Sequence, residues 1–289
     1  MDDFETYRPL LFGIAYRMLS SISDAEDIVQ DAYLRYAATP RESIRSPSAF
    51  LATIVTRLCL NQLQSARVQR ETYVGPWLPE PLVSLTNDYG PSDKFEEAES
   101  ISMAFLVLLE QLTPLARAVF LLREVFDFDY AEIAEIVERD EAACRQLFSR
   151  ARKELASGRR RFQPTAAEHQ RIVLSFMQAT THGDIRGLTD LLADDVVLWA
   201  DGGGKVRGAA TRPIHGSADV ATFLLSSRRF VIEAATRFDL VTVNGAPGAI
   251  LREAGKPVVV ISFEFDAEQI CGLRLVANPD KLQRVQLDH

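Results

Sequence analysis

Cysteine is scarce in this chain. Its three copies, Cys59, Cys144 and Cys271, are far apart and form no Cys-x-x-Cys pair. That argues against a disulfide framework and against a zinc site. Long apolar runs are missing as well: the longest, near Met103 to Leu109, is too short to span a bilayer. The first residues, MDDFETYRPLL, are acidic and carry no basic region followed by an apolar one, so no secretory leader is expected and the chain reads as cytoplasmic. Overall positive charge is also lacking. The 32 Lys and Arg face 40 Asp and Glu, a net charge of −8, which at first argues against a nucleic-acid partner. The distribution reverses this. Residues 41–70 hold five basic side chains and one acidic, and residues 141–162 hold seven and two, while residues 71–140 are strongly acidic. Local charge governs contact with phosphates.

The second basic block ends the stretch Leu112 to Leu155, LTPLARAVFLLREVFDFDYAEIAEIVERDEAACRQLFSRARKEL. Thr113-Pro114 is a helix start, with Thr as N-cap and Pro where its missing N–H costs nothing. Leu115, Val119 and Leu122 follow at helical spacing. Asp129 caps a second helix with an apolar stripe of Ile133, Ala134 and Val137. Glu138-Arg139-Asp140 has room only for a turn, and a basic helix opens at Glu141. A short helix, a tight turn and a basic helix make a helix-turn-helix, whose second helix enters the DNA major groove. A surface helix with a solvated basic face would read the same way.

Residues 4–70 also read as helices. Phe4, Tyr7, Leu11, Ile14, Ala15 and Met18 form one stripe, and Ser23 with Glu26 forms a capping box for the next helix. In that helix Ile28, Ala32 and Leu34 turn inward, and Asp24, Asp27 and Asp31 share a face that suits a basic partner or plain solvent. Ser46-Pro47 starts a third helix. Its first half is apolar, and its end carries Arg57, Asn61, Gln62, Gln64, Arg67 and Arg70, amides and guanidinium groups suited to base edges and phosphates.

Taken together, these segments resemble the extracytoplasmic-function sigma factors of bacterial RNA polymerase. DAEDIVQDAYLR is similar to the acidic helix of that family, FLATIVTRLCLNQLQSARVQR to its −10-reading helix, and Leu112 to Leu155 to its −35-reading domain. The resemblance implies an alternative sigma factor that recruits RNA polymerase core, through the clamp helices of the largest subunit and the flap, to promoter DNA. It implies Asp24, Glu26, Asp27 and Asp31 for core binding, and the six polar residues from Arg57 to Arg70 for the −10 element. For the −35 element it implies Arg145, Gln146, Ser149, Arg150, Arg152 and Lys153. Leu147, Gln64 and Ser65 stand where basic residues are common in the family, which bears on the promoter sequence.

Residues 71–98 are an acidic linker in which Gly75, Pro76, Pro79, Pro81, Gly90 and Pro91 argue against regular structure. Trp77, Leu78 and Leu82 are costly to leave in water, so Trp77-Leu78-Pro79-Glu80-Pro81 is expected to dock. Residues 163–289 mix helices with strands. Helices are expected at 169–181, 185–193 and after a Ser217 cap. Strands are expected at 196–199, within 230–243, and at 249–253, 258–265 and 270–276. Asp201-Gly202-Gly203-Gly204-Lys205 is a turn, since successive glycines suit positive φ; it lacks the spacing and the Ser or Thr of a phosphate loop. This part resembles a SnoaL-like α+β cone. With the Trp-Leu-Pro-Glu-Pro, Asp-Gly-Gly-Gly-Lys and Asn278-Pro279-Asp280-Lys281-Leu282 motifs, the chain is similar to a subgroup of these sigma factors that carries such an extension.

The expected organisation is therefore multidomain. Two all-α sigma domains, a helical bundle over 1–70 and a helix-turn-helix domain over 99–160, flank the linker, and the cone follows over 163–289. The subgroup resemblance implies that the cone, through those three motifs, controls activity with no separate anti-sigma factor. Asp201, His182 and His215 are weighed as acid–base groups in the cone, but nothing in the sequence places them in one pocket, so no catalytic residue, metal or cofactor is assigned. The competing expectation is a DNA-binding regulator fused to a ligand-sensing or enzymatic cone, which leaves room for a small-molecule ligand.

Overall fold

A computed structural model describes residues 4–71, 73–85, 102–156, 166–231 and 236–285, without the side chains of 65–71, 85, 166 and 228–231. The chain divides into two compact units, one of residues 1–71 and 106–159, the other of residues 72–105 and 160–289.

The first unit is helical. Helix α1 (Phe4–Leu19) ends where Ser20, at φ 58°, donates its amide to Tyr16 O. Helix α2 (Ile22–Ala38) is capped by Ser21, whose hydroxyl accepts from the Asp24 amide at 3.2 Å. The cap thus lies two residues before the expected Ser23, because Ser20 already turns the chain and leaves Ser21 in the extended conformation that an N-cap needs. Ile28 and Ala32 are buried as expected, but Leu34 is 58% exposed. Two residues beyond Ala32 is about 200° around the helix, and Tyr36, at i+4, takes the inward place. Helix α3 (Pro47–Glu71) buries Leu51, Ala52, Val55, Cys59 and Leu63 against α1 and α2.

After α4 (Met103–Leu109) come the expected three helices. Helix α5 (Pro114–Glu124) is capped by Thr113, and α6 (Tyr130–Val137) by a full Asp129/Glu132 capping box. Glu138, at φ 55°, ends α6, and Asp140 Oδ1 accepts from the Ala143 amide at 2.8 Å to start α7 (Glu141–Ala156). Val119, Leu122, Ile133, Ile136, Cys144, Ala151 and Leu155 close the core of this helix-turn-helix, with Phe148 stacked on Phe120 at 5.9 Å.

The second unit is an α+β cone, as expected. Its sheet runs β1 (Val83–Leu85), β4 (Thr236–Val243), β5 (Ala246–Glu253), β6 (Lys256–Asp266), β7 (Gln269–Val276), β2 (Leu192–Asp201), β3 (Ile214–His215). All pairings are antiparallel except β2 with β7. Helices α8 (Ala166–His182), α9 (Ile185–Leu191) and α10 (Ser217–Val231) accompany the sheet, and α11 (Pro279–Leu282) follows β7. The cone is filled by side chains: Val173, Phe176, Leu224, Leu198, Leu251, Ile261 and Phe263 form one apolar core. Three local expectations are corrected. Ser217 is the first residue of α10 and follows Gly216 at φ 88°, so it lies inside the helix it was expected to cap. His215 belongs to a strand rather than a loop. The linker, for all its prolines, contributes β1, which lies beyond the last of the cluster, Pro81, where every N–H is free to bond.

Candidate functional site

Four places carry the expected functional residues. On α2, Asp27 and Asp31 are exposed, and Asp24 and Glu26 are half-buried. Leu34, at i+7 from Asp27, and Tyr33 add exposed apolar surface beside the carboxylates. An acidic helix face with an apolar anchor suits a basic protein surface better than solvent alone.

On α3, Arg57, Asn61 and Gln64 line one exposed face at i, i+4 and i+7, with Gln62 half-buried beside them; the side chains of Arg67 and Arg70 lie outside the described residues. Arg57 has a second set of partners that no pattern in the sequence foretold. Its Nε donates to Ile136 O at 3.1 Å and its Nη2 to Glu135 O at 3.0 Å, and Nη1 lies 3.1 Å from the Glu138 carboxylate.

On α7, Arg145, Gln146, Ser149, Arg150, Arg152 and Lys153 are all exposed, opposite the buried Cys144, Ala151 and Leu155. Arg145 is held in place: Nη2 meets Glu141 at 2.6 Å, and the guanidinium lies 4.9 Å from the centre of the Tyr130 ring. An exposed row of cationic and amide side chains on the second helix of a helix-turn-helix can read bases and hold phosphates.

The fourth place is the docked linker, assembled from all three motifs. Asp201 closes β2 and is fully buried. Its Oδ1 accepts from the Tyr73 hydroxyl at 2.5 Å and from the Gly203 amide at 3.1 Å. Its Oδ2 accepts from the Leu78 amide at 2.8 Å and from Lys281 Nζ at 2.7 Å. Lys281 also donates to Leu78 O, and its ammonium sits 4.1 Å from the centre of the Trp77 ring. Asn278 caps α11, donates to the Tyr73 hydroxyl at 2.8 Å, and lies against Gly203, where a Cβ would stand 2.5 Å from it. With φ at 58° as well, only glycine suits that position. Gly202 is similarly close to Ala209, and Gly204 packs against Val74. Lys205 pairs with Asp280 at 2.5 Å; Pro79, Pro81 and Leu282 are buried, and Pro279 opens α11. Burial, together with the hydrogen bond and charge of Asp201, pushes the Tyr73 phenol well above its usual range.

Two partners at this place escaped the sequence reading. Tyr73 carries no signal of its own. Asn244, at φ 51°, accepts from the Leu82 amide at 3.1 Å and donates its own amide to Leu82 O at 2.8 Å. The dipeptide Asn244-Gly245, a favoured tight-turn pair, was the available signal.

The three groups weighed for acid–base chemistry do not converge. Asp201 spends its carboxylate on four donors, His182 is exposed at the end of α8 with Nδ1 against Gln178 O, and His215 is exposed on β3. Among the described residues no cluster of His, Cys, Asp and Glu could hold a metal ion, and no helix is long and apolar enough to cross a membrane.

Comparison with known proteins gives consistent matches. Residues 4–68 match the family Sigma-70 region 2, and residues 102–155 match Sigma-70, region 4. Over its length the chain is similar to the ECF RNA polymerase sigma factor SigJ of Mycobacterium tuberculosis, at 37% identity covering 97% of this chain and 92% of that one. It is also similar to the probable ECF RNA polymerase sigma factor SigI of the same organism, at 27% identity covering 99% and 95%. The crystal structure of SigJ matches with a TM-score of 0.78 at 34% identity, covering 99% of each chain.

Proposed function

The chain belongs to the extracytoplasmic-function sigma factors of RNA polymerase, and from that premise we propose how its parts divide the work of initiating transcription. As an alternative sigma factor it directs core polymerase to promoter DNA. The acidic face of α2, with Asp24, Glu26, Asp27, Asp31 and the exposed Leu34, docks on core polymerase. The polar end of α3 captures the opened −10 strand. Helix α7 reads the −35 element, with Arg145 and Gln146 toward base edges and Ser149, Arg150, Arg152 and Lys153 toward the backbone.

Control resides in the cone. The linker joins the −10 reader to the −35 reader, and the docking of residues 73–85 on the cone supports this reading most directly. That docking withdraws up to ~40 Å of contour from the connection between the two readers. Releasing it lengthens their reach. The chain therefore carries its own control element, and no separate anti-sigma factor is needed.

The test is promoter-directed transcription with core polymerase and the full chain. Lys281→Glu and Trp77→Ala release the linker and change promoter output relative to wild type; unaltered output in both would rule out control through the linker. Arg150→Ala lowers the slope of log affinity against log salt by about one unit, the mark of a lost phosphate contact. An unchanged slope would remove Arg150 from the DNA interface.

A further inference from the structure

Two arginines link the −10-reading and −35-reading segments directly, within the first unit and in opposite directions. Helix α6 ends with carbonyls in need of donors. The amides of Glu138 and Arg139 both go to Ala134 O. Glu135 O and Ile136 O are taken by Arg57 of α3, and the Glu138 carboxylate binds the third nitrogen of the same guanidinium. The negative end of the α6 dipole adds to the attraction. In the other direction, Arg117 of α5 donates Nη1 to Met18 O, in the last turn of α1, at 2.6 Å and to Glu110 at 2.8 Å. Ser20 donates to the same Glu110 oxygen at 3.1 Å. Arg117 is 3% exposed, and burial lowers its guanidinium to about 10. Arg17 of α1 lies 5.3 Å from the ring centre of Phe126, in the loop after α5, and a Cβ at Gly13 would stand 3.0 Å from the Arg17 guanidinium.

We infer that the end of α6 is a guanidinium-binding site occupied by Arg57 in the free chain, so that the −35 domain masks Arg57 of the −10 reader until the arginine caps open. The masking resting on Arg57 rests in turn on the proposed −10 role of α3; the clasp itself does not. Arg57 is held on α6 through all three of its nitrogens, which leaves two of its five N–H donors and places the Glu138 carboxylate beside it, so a DNA phosphate gains the full guanidinium only by displacing α6. The clasp therefore competes with the −10 strand, and apparent affinity falls by the fraction of chain that is closed. This latch is built from residues other than those that dock the linker.

The full chain tests this by amide hydrogen exchange, which reports small open populations, together with binding of a fluorescent single-stranded −10 oligonucleotide. Glu138→Gln removes one exposed ion pair and speeds exchange about two- to fivefold. Arg57→Ala removes all three contacts and speeds it about tenfold. In both variants the effect reaches α3, α5 and α6 together, while α8 keeps its wild-type rate. Glu138→Gln also tightens the oligonucleotide about two- to fivefold, whereas Arg57→Ala weakens it. Exchange changes confined to the last turn of α6 would mean a local cap and would overturn the clasp. Faster exchange in Glu138→Gln without tighter binding would overturn the masking. If exchange responds throughout but Arg57→Ala binds the oligonucleotide as wild type does, the clasp stands and the −10 role of Arg57 falls.

Discussion

Lys281 Nζ lies 2.7 Å from Asp201 Oδ2, and both side chains are shut off from water, at 8% and 0% exposed. A charge pair in such surroundings is held together less by its own attraction than by the cost of stranding either member. Asp201 has three further donors and Lys281 has Leu78 O and the Trp77 ring, so each ion is solvated by the linker it retains.

Breaking the pair should therefore undock the linker. Lys281→Met leaves the Asp201 carboxylate buried without its counter-ion, a loss on the order of 3–5 kcal/mol for an orphaned buried charge. Protease cleavage between residues 73 and 85 should accelerate strongly while the cone stays folded by circular dichroism. Cleavage at the wild-type rate would mean that the pair does not hold the linker.

Tyr73 sets the response to alkali. Its phenol is held protonated, by burial first and then by Asp201, so its pKa when docked lies above the ordinary value of 10. The undocked phenol ionises first, which means that docking is at full strength below pH 10 and weakens as the pH rises beyond it. Tryptophan fluorescence of the full chain should stay flat from pH 6 to about 9.5 and change above 10. Tyr73→Phe should dock more weakly throughout and lose that alkaline transition.

Tyr130 holds Arg145 in place on the face proposed to read the −35 element. Its ring carries the Arg145 guanidinium at 4.9 Å and packs edge-on against Phe148 at 6.2 Å. Tyr130→Leu keeps apolar bulk but removes the π face, worth about 0.5–1 kcal/mol at an exposed site. Discrimination among −35 variants should fall about two- to fivefold, as that energy implies, with the salt slope unchanged and Tyr130→Phe behaving as wild type. A uniform loss of affinity across all −35 sequences would instead indicate damage to the fold.

What the sequence revealed follows the range of each interaction. The helices of the first unit show themselves through apolar period and caps, and Asp129 with Glu132 makes the capping box their spacing suggests. Ser21 and Ser23 could not be separated, because the choice depends on the turn at Ser20. The Trp77–Pro81 motif was legible as residues that had to dock somewhere, since Trp77 and Leu78 among prolines have no reason to face water, whereas the Asp201–Lys205 and Asn278–Leu282 motifs were marked only by the family resemblance. Their partners were less so. Asp201 finds Leu78 across 123 positions and Lys281 across 80, and no local pattern records such a pairing. Strand β1 owes its register to β4, and Arg57, whose type suits phosphate and helix end alike, shows its second set of partners only in three dimensions.

The pairing of Val83–Leu85 with Val241–Val243 has one more consequence. Strand β4 stands next to the margin of the sheet, and the linker covers its outer amides and carbonyls at Val241–Val243. Uncovered strands recruit others. A released linker would thus bare a sticky margin, open to the same three residues or to a strand from elsewhere.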